Sequence, residues 1–363
     1  MKEKLVRQTA ERFDVVVIGA GQAGLATGYY LAQHNLRFVI VDANERAGGA
    51  WQNRWDSLML FTPAIYNSLP GMRFLASSWY LPTTREMAGY LENYASHFNL
   101  PLRLGVKVDG VRREDKAYIV TAGKLQFETK SVIVATGVYQ TPSMPAFMSE
   151  LDPLVTQLHS SEYRSPAQLK EGNVLVVGAG NSGAQIAMEL ASSRPTWLCG
   201  PKTGYNPRKI LGIDLYWWLY HVGFMTLRID SWVFRLVHSS NKDGERLVGI
   251  TSGDIVKAGV KRIPEKVREI KNGKPVLENG RVLDVDNVIW CTGFKHDFHW
   301  ISLPVFRDDG YPIHSRGVVE GEPGLYFVGL PFLYRINSFS VGGVGTDAQY
   351  IVSVLSDRLQ KKA

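Results

Sequence analysis

The stretch Phe13-Asp-Val-Val-Val-Ile-Gly-Ala-Gly-Gln-Ala-Gly24 decides the fold. A run of apolar strand residues meets three glycines, and a helical pattern opens directly after them. In such a unit Gly19 makes the tight turn. Gly21 keeps the backbone bare toward a pyrophosphate, and Gly24 lets the helix pack on the strand. Gln22 and Ala23 begin a helix whose free N–H groups and partial positive charge suit phosphates. A second strand-like run, Arg37-Phe-Val-Ile-Val-Asp42, ends in an acid 23 residues after Gly19, and Ala43 follows it. A carboxylate at that spacing accepts the hydroxyls of an adenosine ribose. Strand, glycine turn, helix, strand and acid together predict a dinucleotide-binding α/β unit.

The pattern recurs. Ser131-Val-Ile-Val-Ala135-Thr136-Gly137 reads as a strand buried on both faces, as in a parallel sheet. Asn173-Val-Leu-Val-Val-Gly178-Ala-Gly180-Asn181-Ser182-Gly183 repeats the glycine turn, and Asp286-Asn-Val-Ile-Trp-Cys-Thr292-Gly293 repeats the later strand. Gly178 follows Gly19 by 159 residues and Thr292 follows Thr136 by 156. Two motifs recurring at one spacing indicate two domains of related plan. The expected architecture is α/β: two Rossmann-like three-layer domains, the second inserted in the first, each with a small antiparallel β-meander. The boundaries read as 1–155 plus 286–363 for the first and 156–285 for the second. At the same offset the counterpart of Asp42 is Pro201, with Lys202 beside it and Arg208 and Lys209 beyond. Loss of the acid with gain of cations favours a ribose 2′-phosphate, hence NADPH over NADH. Ordinary surface charge is the alternative.

Around these motifs, Gly48-Gly49-Ala-Trp51 reads as close backbone approach to a flat ligand or as a loop turn. Residues 51–82, rich in aromatics and proline, read as a loop wall around a planar apolar ligand or as a core-lining loop. Thr83 to His97 predicts a helix capped by Thr84, with Met87, Tyr90, Leu91 and Tyr94 on one face. Leu102–Val108, Lys116–Ala122 and Lys124–Thr129 read as short strands with a hairpin at Gly123. Tyr139 to Ser165 reads as a proline-rich linker. Leu211 to Ser240, dense in Trp, Tyr and Phe, suits one or two amphipathic helices. They would line a substrate path, rest on a membrane surface or pack on the domain. Gly324–Gly329 is a strand of the first domain. Gly345 and Thr346 open a final helix, Asp347 to Leu359, whose first N–H groups could point at a ligand's carbonyl edge.

The composition excludes several classes. There is no 18-residue apolar run for a transmembrane helix. The opening Met1 to Asp14 lacks a leader's apolar core. Cys199 and Cys291 are the two cysteines; they are far apart, which suits a reducing cytosol and gives no CxxC pair. A net charge of +7 comes with no nucleic-acid motif. His296 and His299 lack a third ligand at metal spacing, so no metal is expected.

These residues resemble the flavin-containing monooxygenases and the small bacterial flavoprotein oxidoreductases related to them. The resemblance rests on Gly19–Gly24, Gly48–Trp51, Ala135–Pro145, Gly178–Gly183 and Cys291–Phe294, and it covers nearly the whole chain. It implies FAD at the first site, NADPH at the second, oxygen as co-substrate, and a hydroperoxide at flavin C4a that oxygenates a small, apolar organic substrate. The family's linker signature survives only as His159-Ser-Ser-Glu-Tyr163. The asparagine usual near the flavin is replaced by Phe61. His159, Tyr163 and Asn53 are therefore weak catalytic candidates, and Asn67 and Asn337 are further polar ones. An NADPH-dependent reductase of quinones and a redox-sensing flavoprotein remain alternatives, and the oligomeric state stays open, a homodimer included.

Overall fold

The computed structural model describes residues 10–239 and 246–361. The first nine residues of the leader reading and Ser240 of the aromatic insert lie outside the described residues. The first unit contains β1 (Glu11–Ile18), α1 (Gln22–Leu31), β2 (Phe38–Val41), α2 (Thr84–His97), β3 (Leu102–Arg103), β4 (Gly110–Glu114), β5 (Ala117–Ala122) and β6 (Leu125–Val134). The second contains β7 (Thr156–His159), β8 (Val174–Val177), α3 (Asn181–Ala191), β9 (Thr196–Cys199), α4 (Leu215–His221), α5 (Trp232–Ser239), β10 (Lys261–Ile263), β11 (Val267–Lys271), β12 (Lys274–Leu277) and β13 (Asn287–Trp290). The chain then returns to the first unit with β14 (Leu325–Phe327) and α6 (Val344–Gln360).

The parallel part of the first sheet runs β3-β2-β1-β6-β14, and β5 and β4 continue it antiparallel. The second sheet runs β10-β9-β8-β13-β7, all parallel. The central strands are apolar along their length because both faces are covered: Val15, Val16 and Val17 are wholly buried, as are Val174, Leu175 and Val176. The repeat read from the motifs is thus a repeat of strand order. The antiparallel portions of the second unit are the two-stranded β11–β12 ribbon and a short hairpin that sets Lys209 opposite Asp214 and Ile210 opposite Ile213.

Several expectations move. β13 pairs with β8 and β7, so Asn287–Trp290 belongs to the second unit rather than to the returning first one. Its motif equivalence to β6 had already tied it to a sheet centre, which only the second sheet offers. The runs at 124–129 and 131–137 fuse into the single strand β6. Its first half pairs with β5 and its second half with β14. The polar Lys130 between them is no turn: it points outward to Asp14 at 2.8 Å. The strand expected over 102–108 stops at Arg103, and Gly105, at φ +69°, turns the chain. The α2 cap is Thr83 rather than Thr84. Its hydroxyl accepts from Glu86 N–H at 3.2 Å while the Glu86 carboxylate takes the Thr83 N–H at 2.8 Å. The expected face of α2 is buried.

Among the contacts that lock the units together, two lie near the crossovers and the wall. The crossover segments pair as an antiparallel ribbon, Phe294 opposite Pro142 and Lys295 opposite Thr141. Trp55 and Leu58, from the first unit's wall, pack into the second unit's core beside Tyr163 and Leu247.

Candidate functional site

Each sheet ends in a glycine turn of the same design. A Cβ at Gly19 (φ +111°) would lie 2.5 Å from the Ala135 carbonyl oxygen, and one at Gly24 would lie 1.8 Å from that of Gly19. In the second unit, a Cβ at Gly178 (φ +108°) would lie 2.2 Å from the Cys291 oxygen and one at Gly183 1.8 Å from the Gly178 oxygen. These four glycines are demanded by packing. The middle glycines, Gly21 and Gly180, meet nothing within 4 Å. They face open space in front of α1 and α3. Neither helix has a capping side chain or an acid in its first turn, so the first N–H groups are left for an anion. Gly137 and Gly293, at the ends of β6 and β13, also face open space. This is the cradle that a bound pyrophosphate fits.

The acid is tied to the first turn. Asp42 accepts the Ala20 N–H at 2.5 Å on one oxygen and the Asn44 backbone and side-chain N–H groups, each at 2.7 Å, on the other. Ala43 continues this bend. Trp51 donates to Gln22 at 3.1 Å, and Gln22 donates to the Phe339 carbonyl at 3.3 Å. That chain connects the turn to the loop leading into α6. The glycine pair is closely packed within the protein, Gly48 on Leu91 and Gly49 on Asn44. Gly345 is likewise pressed on Pro70, and the Thr346 N–H donates to the Gly343 carbonyl at 3.3 Å. Thr136 accepts from Gln140 at 2.9 Å. Ala135, Thr136 and Gly137 close the back of the first cradle, and Thr292 and Gly293 close that of the second.

In the second cradle the structural counterpart of Asp42 is Gly200, one residue before the Pro201 that spacing suggested. Gly19 N–H reaches Val41 O, and Gly178 N–H reaches Cys199 O, so the strand ends one residue sooner. The missing carboxylate stands. Two cations bracket the position. Lys202 is exposed just beyond it. Arg262, from the edge strand β10, donates to Leu198 O at 2.9 Å and Gly200 O at 3.1 Å, and burial pulls its pKa down. Sequence reading missed Arg262, which lies far from the motif and within an unremarkable basic run. Arg208 is placed otherwise than expected. It pairs with Asp214 at 2.6 Å and donates to the Phe61 carbonyl in the wall of the first unit. Asn181 is engaged as well: its side chain bonds Arg246 O at 3.2 Å and Val248 N–H at 2.9 Å. Ser182 beside it is half-buried.

The aromatic insert forms a roof over the wall. Tyr220 of α4 stacks on Tyr66 with ring centroids 4.1 Å apart and planes within 1°. The backbone past α4 is stitched to the loop before α6: Asn337 N–H donates to Met225 O at 3.1 Å and Ile229 N–H to Tyr334 O at 3.0 Å. Elements of both units therefore meet here.

Of the weak catalytic candidates, His159 and Asn53 stand at the seam between the units and Tyr163 lies in the second core. His159 is 1 % exposed. Its Nε2 meets Gly293 O at 3.1 Å, its Nδ1 meets Ser161 Oγ at 2.8 Å, and its ring stands edge-on to Phe294. Burial holds its pKa below the ordinary histidine value. Tyr163 donates to Glu189 at 2.8 Å inside the second core, where burial raises its phenol. Asn53 bridges Arg164 at 2.9 Å and Asn44 at 3.0 Å. His299 pairs with Asp297 and His296 stacks on Phe298. Both cysteines are free, and burial pushes Cys199 up to about 11 and Cys291 up to about 12. No described helix is long and apolar enough to cross a membrane.

Comparison with known proteins agrees with this geometry. The family model described as pyridine nucleotide-disulphide oxidoreductase matches residues 16–196. The chain is 26% identical to a probable indole-3-pyruvate monooxygenase of Arabidopsis thaliana, YUCCA1, over 94% of this chain and 89% of that one. A flavin-containing monooxygenase from Stenotrophomonas maltophilia superposes with a TM-score of 0.77 at 26% identity, covering 96% of this chain and 99% of that one. An uncharacterized CzcO-like oxidoreductase of Geobacillus kaustophilus is 42% identical over 94% of this chain and 97% of its own length. The chain belongs to the CzcO-like oxidoreductases, on the architecture of a flavin-containing monooxygenase.

Proposed function

We propose that this oxidoreductase is an FAD-dependent monooxygenase that uses NADPH and oxygen to oxygenate a small, largely apolar organic substrate. The observation that carries the reading is the pair of matching cradles, one with a ribose acid and one without. The first takes FAD: Gly21 and the α1 N-terminus hold the pyrophosphate and Asp42 the ribose. The second takes NADPH: Gly180 and the α3 N-terminus hold its pyrophosphate, while Lys202 and Arg262 hold the 2′-phosphate at the position left by the acid. Bound flavin supplies the electron and oxygen chemistry, so the protein needs no acid–base dyad of its own. The chain's part is positioning and exclusion of water, by the 51–82 wall and the roof latched to it through Arg208. His159 and Asn53 hold the seam, and Tyr163 braces the second core. The names of the Stenotrophomonas and Arabidopsis relatives support oxygenation. Disulfide reduction lacks its cysteine pair, since the two thiols are separate and both raised in pKa by burial. The free cysteines suit a cytosolic setting.

One observation favours electron transfer to a quinone instead: Phe61 stands where a polar group is expected, and its carbonyl is taken by Arg208. Turnover with NADPH under isotopically heavy oxygen, against a panel of sulfides, amines and ketones, separates the two. Incorporation of one heavy oxygen atom into a product is the expected result. NADPH consumption matched by peroxide release across the whole panel would count against oxygenation.

A further inference from the structure

The hairpin that bears Arg208 ends in a very tight turn. Lys209 stands opposite Asp214 and Ile210 opposite Ile213, which leaves Leu211 and Gly212 as the tip. Both have positive φ, +52° and +78°. Such a tip favours Asn-Gly, because asparagine tolerates the left-handed region and leucine does not. Leu211 is also 88 % exposed, so burial of its side chain does not offset the strain. Ile210 and Ile213 behind it are exposed as well. Phe332, at φ +52°, makes the same exception beside the roof, its ring 5.7 Å from that of Phe234 on α5. The hairpin is fixed to α4: Leu215 N–H donates to Arg208 O at 2.9 Å and Trp218 Nε1 to Ile210 O at 3.2 Å. Val222, just past α4, is exposed, and α5 opens at Trp232, which is 73 % exposed.

Charge around these side chains is one-sided. Between residues 202 and 239 the acids are Asp214 and Asp230, and each is taken by an arginine, Arg208 and Arg228. Lys209, exposed on the hairpin, and Arg235, exposed beside Trp232, have no carboxylate at ion-pair distance among the described residues. Arg235 donates instead to the Asp230 carbonyl at 3.0 Å. Apolar projections on a cationic stem match the headgroup layer of an anionic bilayer. The aliphatic tip enters the acyl boundary, tryptophan stays at the interface, and lysine and arginine reach back to the phosphates. A second copy of the chain matches less well, because it would set the same uncompensated cations against each other on a protein of net charge +7. We propose that the roof is a docking surface for anionic lipid, and that Leu211 and Trp232 are the side chains that enter it. The attachment is peripheral, since no described helix is long and apolar enough to cross a membrane. It goes beyond the proposed chemistry and does not depend on it.

The test is flotation of the full-length, flavin-loaded protein with vesicles. Vesicles of phosphatidylglycerol and phosphatidylcholine in equal parts are compared with vesicles of phosphatidylcholine alone. The wild type partitions onto the anionic vesicles about tenfold more strongly than onto the neutral ones. Leu211→Asn and Trp232→Ser each lower that partition about fivefold, and the double variant stays in the soluble fraction. Leu211→Asn also melts at or above the wild-type temperature, because asparagine relieves the turn. Loss of docking with gain of stability is a combination that damage to the fold does not produce. A wild type that leaves both kinds of vesicle unbound would overturn the proposal. So would a double variant that floats as the wild type does. Sedimentation supplies the remaining outcome: a dimer that both substitutions dissociate would give this face to a second copy instead of lipid, and would overturn the proposal too.

Discussion

The two cradles differ less in their turns than in what stands at the tip of the next strand. Both set the first and third glycines against backbone carbonyls and leave the middle one bare. In the first, Asp42 fills the tip and is bonded back to the turn through Ala20. In the second, Gly200 leaves the tip empty, and Arg262 reaches across from the edge strand to its carbonyl. Nucleotide gripping is thus encoded by turn geometry, which tolerates no change. On the proposed reading, nucleotide choice rests on one position and a neighbour's reach.

The largest contrast is within a cradle. Gly24→Ala and Gly183→Ala each force a methyl onto a carbonyl at 1.8 Å and should cost about 3 kcal/mol or more, seen as a large fall in melting temperature. Gly21→Ala and Gly180→Ala, facing open space, should melt near the wild type yet lose their nucleotide. If all four melted alike, the division of labour among the glycines would be wrong. Next in size, Asp42→Ala should weaken FAD by about 1.5–3 kcal/mol while leaving NADPH binding intact, measured by flavin retention on dilution. Smaller again is cofactor selectivity. Lys202→Ala and Arg262→Ala should weaken NADPH about tenfold each, with little effect on NADH. Arg208→Ala should affect both nicotinamides equally, because Arg208 holds the roof.

The smallest effect concerns the seam. Burial lowers the folded-state pKa of His159, so the unfolded chain binds its proton first as pH falls. The contribution is fully present above the ordinary histidine value of about 6.5 and is lost as pH drops below it. His159→Asn should flatten denaturant stability between about pH 6.5 and 5. An unchanged slope would mean the ring titrates freely and does not bind Gly293.

Much of this was legible in the residues because glycine turns are local. The motif at Gly19–Gly24 and its echo at Gly178–Gly183 carry their geometry in six residues, and the strand order followed. What depended on distant pairing was not legible. The fused strand β6 looked like two runs because Lys130 interrupts the apolar pattern while pointing to Asp14. The sheet membership of β13 rests on pairing with β8 and β7, which no local pattern states. Arg208 looked like a phosphate cation from its place after the missing acid, but Asp214, six residues on, captures it. Arg262 sits some sixty residues from the position it serves.

The central claim is that electrons enter through the second cradle and leave through the first. Anaerobic titration of the flavin-loaded protein with NADPH tests it most directly, comparing the wild type with Gly180→Val. The account predicts that the wild type loses its flavin absorbance with one NADPH per flavin, and that the variant keeps both its flavin and its yellow colour. Bleaching of the variant at the wild-type rate would contradict it.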